Sequence, residues 1–273
     1  MKNKTPDFAY HMTKFFTEYL PIQRNLSPNS IATYRDTFRL LLLFYDTEKH
    51  IKPNLLTLDM LNVQQIEDFM LWLKKERNCG ASTCNQRLGA LKSFFRYLQF
   101  ALPDCALQCQ ENLAIRPMKQ PEPGLKYLTI DGIKLLLEQP DIKTKYGRRD
   151  LAILSLMYDT GARVQEIADI KIVHIRFSAP ATIRITGKGD KTRVVPLLSR
   201  TEDILKQYIK DFKIDAGGND AYLFQNRSGQ QLSRFGISYI LTKYADMARK
   251  VHPELIPEKL SPHCIRHSKA MHL

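Results

Sequence analysis

Apolar residues recur every three or four positions through the first hundred residues, which predicts a compact helical domain. Ser27 and Pro28 supply a cap and a first-turn residue ahead of one such stretch. A second helix is predicted around residues 66–73. A third, from about Ser82, has one apolar and one polar face. We therefore expect a helical domain over residues 1–114.

The helical period fails after this domain, where several prolines and a glycine interrupt the pattern. The same stretch contains basic residues, among them Arg116 and Lys119. This composition is typical of a segment that joins two domains. We predict a basic linker over residues 115–126 and a second domain over residues 127–273.

The second domain mixes helical and strand-like patterns. Residues 150–158 are almost uniformly apolar, as expected of a buried helix, and Gly161 can end that helix in a left-handed conformation. Residues 181–186 and 192–197 alternate around a glycine-containing turn, which predicts an antiparallel hairpin. Further helix starts are predicted at Ser199 (with Glu202, a capping box), Ser233 and Ser261. The predicted fold class is mainly α with a small antiparallel β-sheet, a helical domain followed by a mixed α+β domain.

The charge of the chain favours a polyanionic partner. Its 273 residues include 41 Lys and Arg against 28 Asp and Glu, a formal net charge of +13. The part before Arg116 contributes +3 and the remainder +10, so most of the excess lies in the second domain. Charge alone is equally compatible with a basic protein whose charged faces are simply solvated.

The sequence contains no pattern typical of a membrane protein, a metal site or a cofactor-binding site. We find no apolar run of the roughly 18 residues that a membrane span needs, and no signal-peptide core, so we expect a cytoplasmic protein. The five cysteines lack paired spacing, which favours reduced thiols over disulfides or a zinc site. Cys264 is expected to be a packed residue. We predict neither a metal nor a cofactor.

Three short blocks contain most of the candidate chemistry. Ser261 and Pro262 begin a helix in which His263 and Arg266 point the same way from a first turn that favours anions. The other two blocks lie upstream: Thr160-Gly161-Ala162-Arg163-Val164-Gln165-Glu166, and a hairpin containing Gly187-Lys188-Gly189-Asp190-Lys191-Thr192-Arg193.

These blocks suit metal-free phosphodiester chemistry, which needs cations at the non-bridging oxygens and a proton donor for the leaving oxygen. Arg163 and Arg266 offer planar guanidinium donors that remain charged and match a phosphate. Lys188, at a hairpin tip, can protonate a leaving alkoxide. His263 can bind the phosphate or relay a proton near neutral pH.

In this order the three blocks resemble the catalytic domain of the tyrosine recombinases, the phage-integrase family. The segments Leu26-Ser27-Pro28-Asn29-Ser30-Ile31 and Ala90-Leu91-Lys92-Ser93-Phe94-Phe95-Arg96-Tyr97-Leu98 also resemble the family's core-binding domain. The resemblance implies that Arg163, His263 and Arg266 act at the scissile phosphate and that Lys188 serves the 5′-hydroxyl. It implies that Glu166 orients its cationic neighbours. The alternative for Glu166 is a simple surface ion pair with Arg163.

The resemblance implies a site-specific recombinase, an integrase or transposase, that cuts and rejoins double-stranded DNA through a 3′-phosphotyrosyl intermediate. It also implies a homo-oligomer, a tetramer in the synapse, that associates with the nucleoid. Candidate DNA contacts are Lys92, Arg96, Arg116, Lys119, Lys191 and Arg193. Two alternatives are a type IB topoisomerase and a non-catalytic, sequence-specific DNA-binding protein.

The family's tyrosine nucleophile should follow the His-x-x-Arg block, and no nucleophile is assigned in this sequence. Tyr244 fits the apolar stripe of its helix and Tyr239 has no supporting motif, so neither is a convincing substitute. We therefore expect a recombinase truncated before its nucleophile, which binds DNA without cutting it. Incubation with a nicked suicide substrate tests this, and a covalent protein–DNA adduct would contradict it.

Overall fold

A computed structural model describes residues 7–120, 127–187, 189–214, 218 and 220–273. The chain divides into two compact units, Met1–Glu122 and Pro123–Leu273, each with its own hydrophobic core. Helices dominate both units, and the second adds a three-stranded antiparallel sheet, so the predicted fold class is confirmed. Within the described ranges, no helix combines the length and apolarity needed to cross a membrane.

The helices of the first unit pack around a core rich in aromatic rings. The Phe15 ring lies 5.1 Å from that of Phe94 and 5.8 Å from that of Phe38. The elements are α1 (Phe8–Lys14), a π-helical continuation (Phe15–Gln23), α2 (Pro28–Glu48), α3 (Val63–Lys75), α4 (Ala81–Ala101) and α5 (Ala106–Ala114), with 3₁₀ turns at Pro53–Leu55, Leu58–Met60 and Pro103–Cys105.

The predicted cap of α2 is confirmed, because the hydroxyl of Ser27 accepts the backbone N–H of Ser30. The π-helical segment and α5 were not predicted. The first contains Pro21 and does not follow the period of an α-helix, and the second is short.

The first part of the predicted linker packs against the first unit. Ile115 is buried, and its carbonyl accepts a hydrogen bond from Lys92 Nζ at 2.6 Å. Asn85 exchanges two hydrogen bonds with the backbone of Met118, at 2.8 and 2.9 Å. Residues 121–126, the rest of that linker, lie outside the described residues.

The second unit surrounds an apolar helix with further helices and the sheet. In the hairpin, β2 and β3 pair from Thr182 opposite Pro196 to Thr186 opposite Thr192, as the alternating pattern predicts. The elements are α6 (Ile130–Glu138), α7 (Lys145–Thr160), α8 (Val164–Ala168), a 3₁₀ turn (Ile172–His174), β1 (Ile175–Arg176), β2 (Thr182–Thr186), β3 (Thr192–Pro196), α9 (Ser199–Phe212), α10 (Arg234–Val251) and α11 (Pro262–Met271).

Two predicted helix caps are wrong in their chemistry. Ser261 precedes α11 as predicted, but its hydroxyl bonds to Cys264 Sγ and makes no capping hydrogen bond. Ser199 is the first residue of α9 rather than its cap, and it makes no capping hydrogen bond. The buried Asp159 carboxylate of α7 instead accepts the backbone N–H of Leu198 at 2.9 Å. Glu202 forms an ion pair with Lys206. A carboxylate from another helix has therefore replaced the local capping box.

A buried polar network fixes α10 to α7. The Asp150 carboxylate accepts two hydrogen bonds from Arg149 and one from the Tyr244 hydroxyl at 3.0 Å. Burial, with the neighbouring Asp150 charge, raises the pKa of Tyr244 and keeps its phenol protonated. Tyr244 is thus a core residue, as its place in the apolar stripe predicts.

Replacing Tyr244 with Phe should lower the free energy of unfolding by about 2 kcal/mol, because the charged Asp150 carboxylate then loses the hydrogen bond that the Tyr244 hydroxyl donates. Urea denaturation measures this. Tyr239→Phe is the control, since Tyr239 lies on the same helix with 71% of its surface exposed. Equal effects of the two substitutions would show that the network contributes nothing.

Candidate active site

The starts of three helices meet at a cavity of about 150 Å³ in the second unit. Arg163 is the capping residue of α8, Arg234 is the first residue of α10, and His263 lies in the first turn of α11. Helix N-termini carry partial positive charge, to which the arginines add full charges, so the cavity suits an anion. The full lining is Arg163, Val164, Gln165, Arg234, Pro262, His263 and Arg266.

The Glu166 carboxylate holds Arg163 at two points. One carboxylate oxygen accepts a hydrogen bond from the backbone N–H of Arg163 at 3.0 Å, so this N–H at the start of α8 has a partner. The other oxygen accepts a hydrogen bond from Arg163 Nη1 at 2.9 Å. Only 5% of Glu166 is exposed, so the pair is not a simple surface ion pair. The guanidinium of Arg163 is half-exposed and retains donors for a ligand.

The same carboxylate also fixes the β2–β3 hairpin. Arg193 Nη2 donates to Glu166 Oε2 at 2.7 Å. Gly187 approaches so closely that a Cβ at this position would lie 2.7 Å from Glu166 Oε1. A side chain there would push the carboxylate away, so the hairpin requires glycine at this contact.

The acidity of Glu166 reflects two opposed effects. Burial raises the pKa of the carboxyl, but hydrogen bonds from Arg193 and Arg163 outweigh burial and lower it to about 2. Glu166 therefore remains ionised at any ordinary working pH and supplies a permanent counter-charge to both arginines.

Gly161 positions Arg266. It ends α7 with a φ of 56°, a left-handed conformation that glycine adopts without strain, as its sequence position predicts. The carbonyl of Gly161 then accepts a hydrogen bond from Arg266 Nη1 at 2.7 Å. His263 is exposed in the first turn of α11, whereas Cys264 is buried as a packed residue.

The structure thus brings Arg163, His263 and Arg266 to one cavity, with Glu166 beside Arg163. Lys188, the fourth predicted catalytic residue, lies outside the described residues. Its neighbours Gly187 and Lys191 are joined by a backbone hydrogen bond of 2.9 Å, and the Lys191 side chain is exposed.

The candidate DNA-contacting residues have different surroundings. Lys92 donates to the Ile115 carbonyl, and burial together with Arg96 lowers its pKa, so part of its role is structural. Arg96, Arg116 and Lys119 are exposed. Arg193 Nη2 is bonded to Glu166, but 37% of the Arg193 side chain is exposed, so its contact with DNA stays a prediction.

Two residues of the cavity were missed by the sequence analysis. Gln165 lies within a recognised block but was given no role, and Arg234 is a single basic residue at a helix start with no motif around it. The predicted cap at Ser233 was the one local signal that pointed to this position.

A cationic cavity at helix starts, in an α+β unit preceded by a helical unit, suits a protein that binds a phosphate-containing ligand. The model of the phage integrase family matches residues 126–273, and that of the phage integrase N-terminal SAM-like domain matches residues 14–100. The chain belongs to the phage integrase family and is a site-specific DNA recombinase of the tyrosine type.

Curated relatives agree with this assignment. Tyrosine recombinase XerD of Listeria innocua is 31% identical, over 94% of this chain and 83% of that protein. Tyrosine recombinase XerC of Herpetosiphon aurantiacus is 32% identical, over 94% and 80%. The Sinorhizobium fredii protein y4rC, provisionally named an integrase/recombinase, is 34% identical, over 99% and 80%.

Solved structures share the fold. The Tn1549 transposon integrase superposes with a TM-score of 0.74 at 15% identity, covering 99% of this chain and 87% of that one. The XerH recombinase in its pre-cleavage complex gives a TM-score of 0.67 at 24% identity, covering 90% and 69%.

The depressed pKa of Glu166 predicts a pH-dependent stability. The contribution of the ionised carboxylate is complete above about pH 4.5, the ordinary pKa, and is lost as the pH falls towards 2. The stability advantage of the wild type over Glu166→Gln should therefore shrink by about 3 kcal/mol between pH 5 and pH 2.

Urea denaturation at several pH values measures this difference. Glu202→Gln is the control, because Glu202 pairs with a single half-exposed lysine and its replacement should alter the profile far less. A Glu166→Gln difference that does not change with pH would mean that the two arginines do not stabilise the charged carboxylate.

Proposed function

We propose that the cavity at the starts of α8, α10 and α11 receives the scissile phosphate of a duplex recombination site. The observation that carries this proposal is the meeting of Arg163, His263 and Arg266 at one cavity, although a hundred residues of sequence separate the two blocks. Two guanidinium groups and two long-helix N-termini are suited to a phosphodiester that carries one negative charge and gains more in the transition state.

Arg163 and Arg266 stabilise the non-bridging oxygens. Each is held by a protein acceptor through one nitrogen, Arg163 by Glu166 and Arg266 by the Gly161 carbonyl. The remaining donors of each guanidinium are then preorganised, so little reorganisation is needed as charge develops on the phosphate. His263, exposed at the same cavity, binds the phosphate or transfers the proton of the nucleophile.

The reaction exchanges one phosphoester for another. A tyrosine oxygen bonds to phosphorus as the P–O5′ bond breaks, which gives a 3′-phosphotyrosyl link and a free 5′-hydroxyl. Lys188 donates the proton that the departing O5′ takes up. The 5′-hydroxyl of the partner strand then attacks the phosphotyrosine and reverses the exchange, so no nucleotide hydrolysis is required.

Several observations support a DNA partner and self-association. The net charge of +13 favours a polyanion, and residues 1–114, 115–126 and 127–273 are proposed as the core-binding domain, basic linker and catalytic domain. XerH was solved bound to its difH substrate, and lambda integrase as a dimer bound to a core site. We extend both properties to this protein, with a tetramer in the synapse and a cytoplasmic, nucleoid-associated location.

Contacts between basic side chains and the DNA backbone supply affinity rather than catalysis in this proposal. The exposed residues Arg96, Arg116, Lys119 and Lys191 are proposed to contact DNA phosphates, and Lys92 is a weaker candidate because its ammonium is bonded to Ile115.

In a form of the recombinase that contains the tyrosine nucleophile, replacing Arg163 or Arg266 with Ala should slow strand cleavage by two orders of magnitude or more, since each removes a charged donor from the transition state. Affinity for the recombination site should remain within a few-fold of wild type, because other phosphate contacts supply most of it. Cleavage kinetics and gel-shift titration measure the two effects.

Arg200→Ala is the matched control, because Arg200 is also an exposed arginine in the first turn of a long helix but lies away from this cavity. An alanine variant of Arg163 or Arg266 that cleaves at the wild-type rate would remove that arginine from the site.

A further inference from the structure

Arg234 lines the cavity that contains Arg163 and Arg266, yet it belongs to none of the three sequence blocks. It is the first residue of α10, and its side chain is exposed. The helix behind it is anchored in the core through the buried residues Ile237, Ile240, Leu241 and Tyr244. Arg234 therefore projects into the cavity lining from a firmly held element.

Hydrogen bonds fix Arg234 relative to Arg163. Gln231, three residues earlier, donates from Nε2 to the Ala168 carbonyl at 3.1 Å and to the Asp169 carboxylate at 2.9 Å. Both acceptors lie at the end of α8, the short helix that Arg163 caps. Since α8 and α10 both begin at the cavity, these bonds hold the two arginines in a set arrangement.

The guanidinium of Arg234 is available for a ligand. It lies over the ring of Phe235, 4.9 Å from the centroid, and 71% of Phe235 is itself exposed. Within the described residues Arg234 forms no ion pair, in contrast to Arg163 and Arg193, which share Glu166. Three arginines thus line the cavity. The carboxylate beside them in the described residues is that of Glu166, which is also bonded to Arg193, so the cavity has an excess of positive charge.

We propose that Arg234 is a further phosphate-binding residue of this site, whose guanidinium donates to the same phosphate as Arg163 and Arg266. The proposal rests on the proposed function of the cavity as the scissile-phosphate site. Arg163, Arg234 and Arg266 approach from three helix starts, so their donors reach different oxygens of one phosphate, and the bound anion supplies the negative charge that the cavity lacks. The ring of Phe235 restricts the arginine side chain before the phosphate arrives.

Inorganic phosphate tests this assignment directly. In the chain labelled with nitrogen-15, the arginine Nε–Hε resonances are followed by NMR while phosphate replaces chloride at constant ionic strength. The resonances are assigned with Arg163→Lys, Arg234→Lys, Arg266→Lys and Arg200→Lys. We expect those of Arg163, Arg234 and Arg266 to shift along one binding curve, while that of Arg200, which lies outside this cavity, stays in place.

The outcomes separate the two proposals. Shifts of Arg163 and Arg266 with a stationary Arg234 would leave the phosphate cavity intact and overturn the role of Arg234. If all three resonances remain stationary, the proposed phosphate cavity fails together with this inference.

Affinity supplies a second measurement. Arg234→Ala should weaken phosphate binding about tenfold, because a charge-assisted hydrogen bond is lost. Arg234→Lys should recover only part of the loss, since the charge remains but the planar donor fork does not. Arg200→Ala should bind as the wild type does. Wild-type affinity in Arg234→Ala would overturn the proposal. Because the Arg234 side chain is exposed, this variant should keep the wild-type thermal unfolding temperature.

Discussion

A single buried carboxylate organises the cationic side of this site. Glu166 accepts two hydrogen bonds from Arg163 and one from Arg193, and Gly187 packs against one of its oxygens. A carboxylate this buried is tolerable only when its oxygens are well bonded to charged partners, and here they are. The arrangement joins the start of α8 to a hairpin that follows it by some twenty residues. Both elements must therefore assemble together, and neither arginine can move without exposing an unpaired charge.

Gly161 is the second residue that organises the site, because the turn at this glycine positions both Arg163 and Arg266. Its left-handed conformation ends α7, so that the chain reverses and Arg163 can cap α8 two residues later. Its carbonyl accepts Arg266, which arrives from α11. Helix α11 is itself held by the Ser268 hydroxyl, which accepts the backbone N–H of Leu128 at 2.8 Å. The spacing of the two guanidinium groups thus follows from backbone geometry rather than from contact between their side chains.

The features that sequence reasoning predicted correctly are those that depend on a few neighbouring residues. The caps at Ser27 and Ser233, the helix end at Gly161 and the alternation of the hairpin all depend on a few neighbouring residues, and the structure contains each of them. Sequence reasoning failed wherever the partner is distant. Asp159 replaced the capping box at Ser199, and the bond from Arg193 to Glu166, 27 positions away, was not predicted. For Arg234 the one local signal was the cap predicted at Ser233, and only the packing of α10 brings this arginine to the cavity.

The net charge overstates how many cations are free to meet DNA. Lys92 and Arg193 both counted towards it, yet Lys92 Nζ is bonded to the Ile115 carbonyl and Arg193 Nη2 to the Glu166 carboxylate, so each has fewer donors left for a DNA phosphate. Positive charge is in excess at the cavity. Three arginines and the N-termini of α10 and α11 face it, and Glu166, the carboxylate beside Arg163, is also bonded to a fourth arginine, Arg193. In the proposed function, a phosphate of the DNA completes this balance. Binding of DNA and neutralisation of the site are then the same event, which would concentrate electrostatic stabilisation at the phosphate in the cavity rather than along the whole DNA backbone.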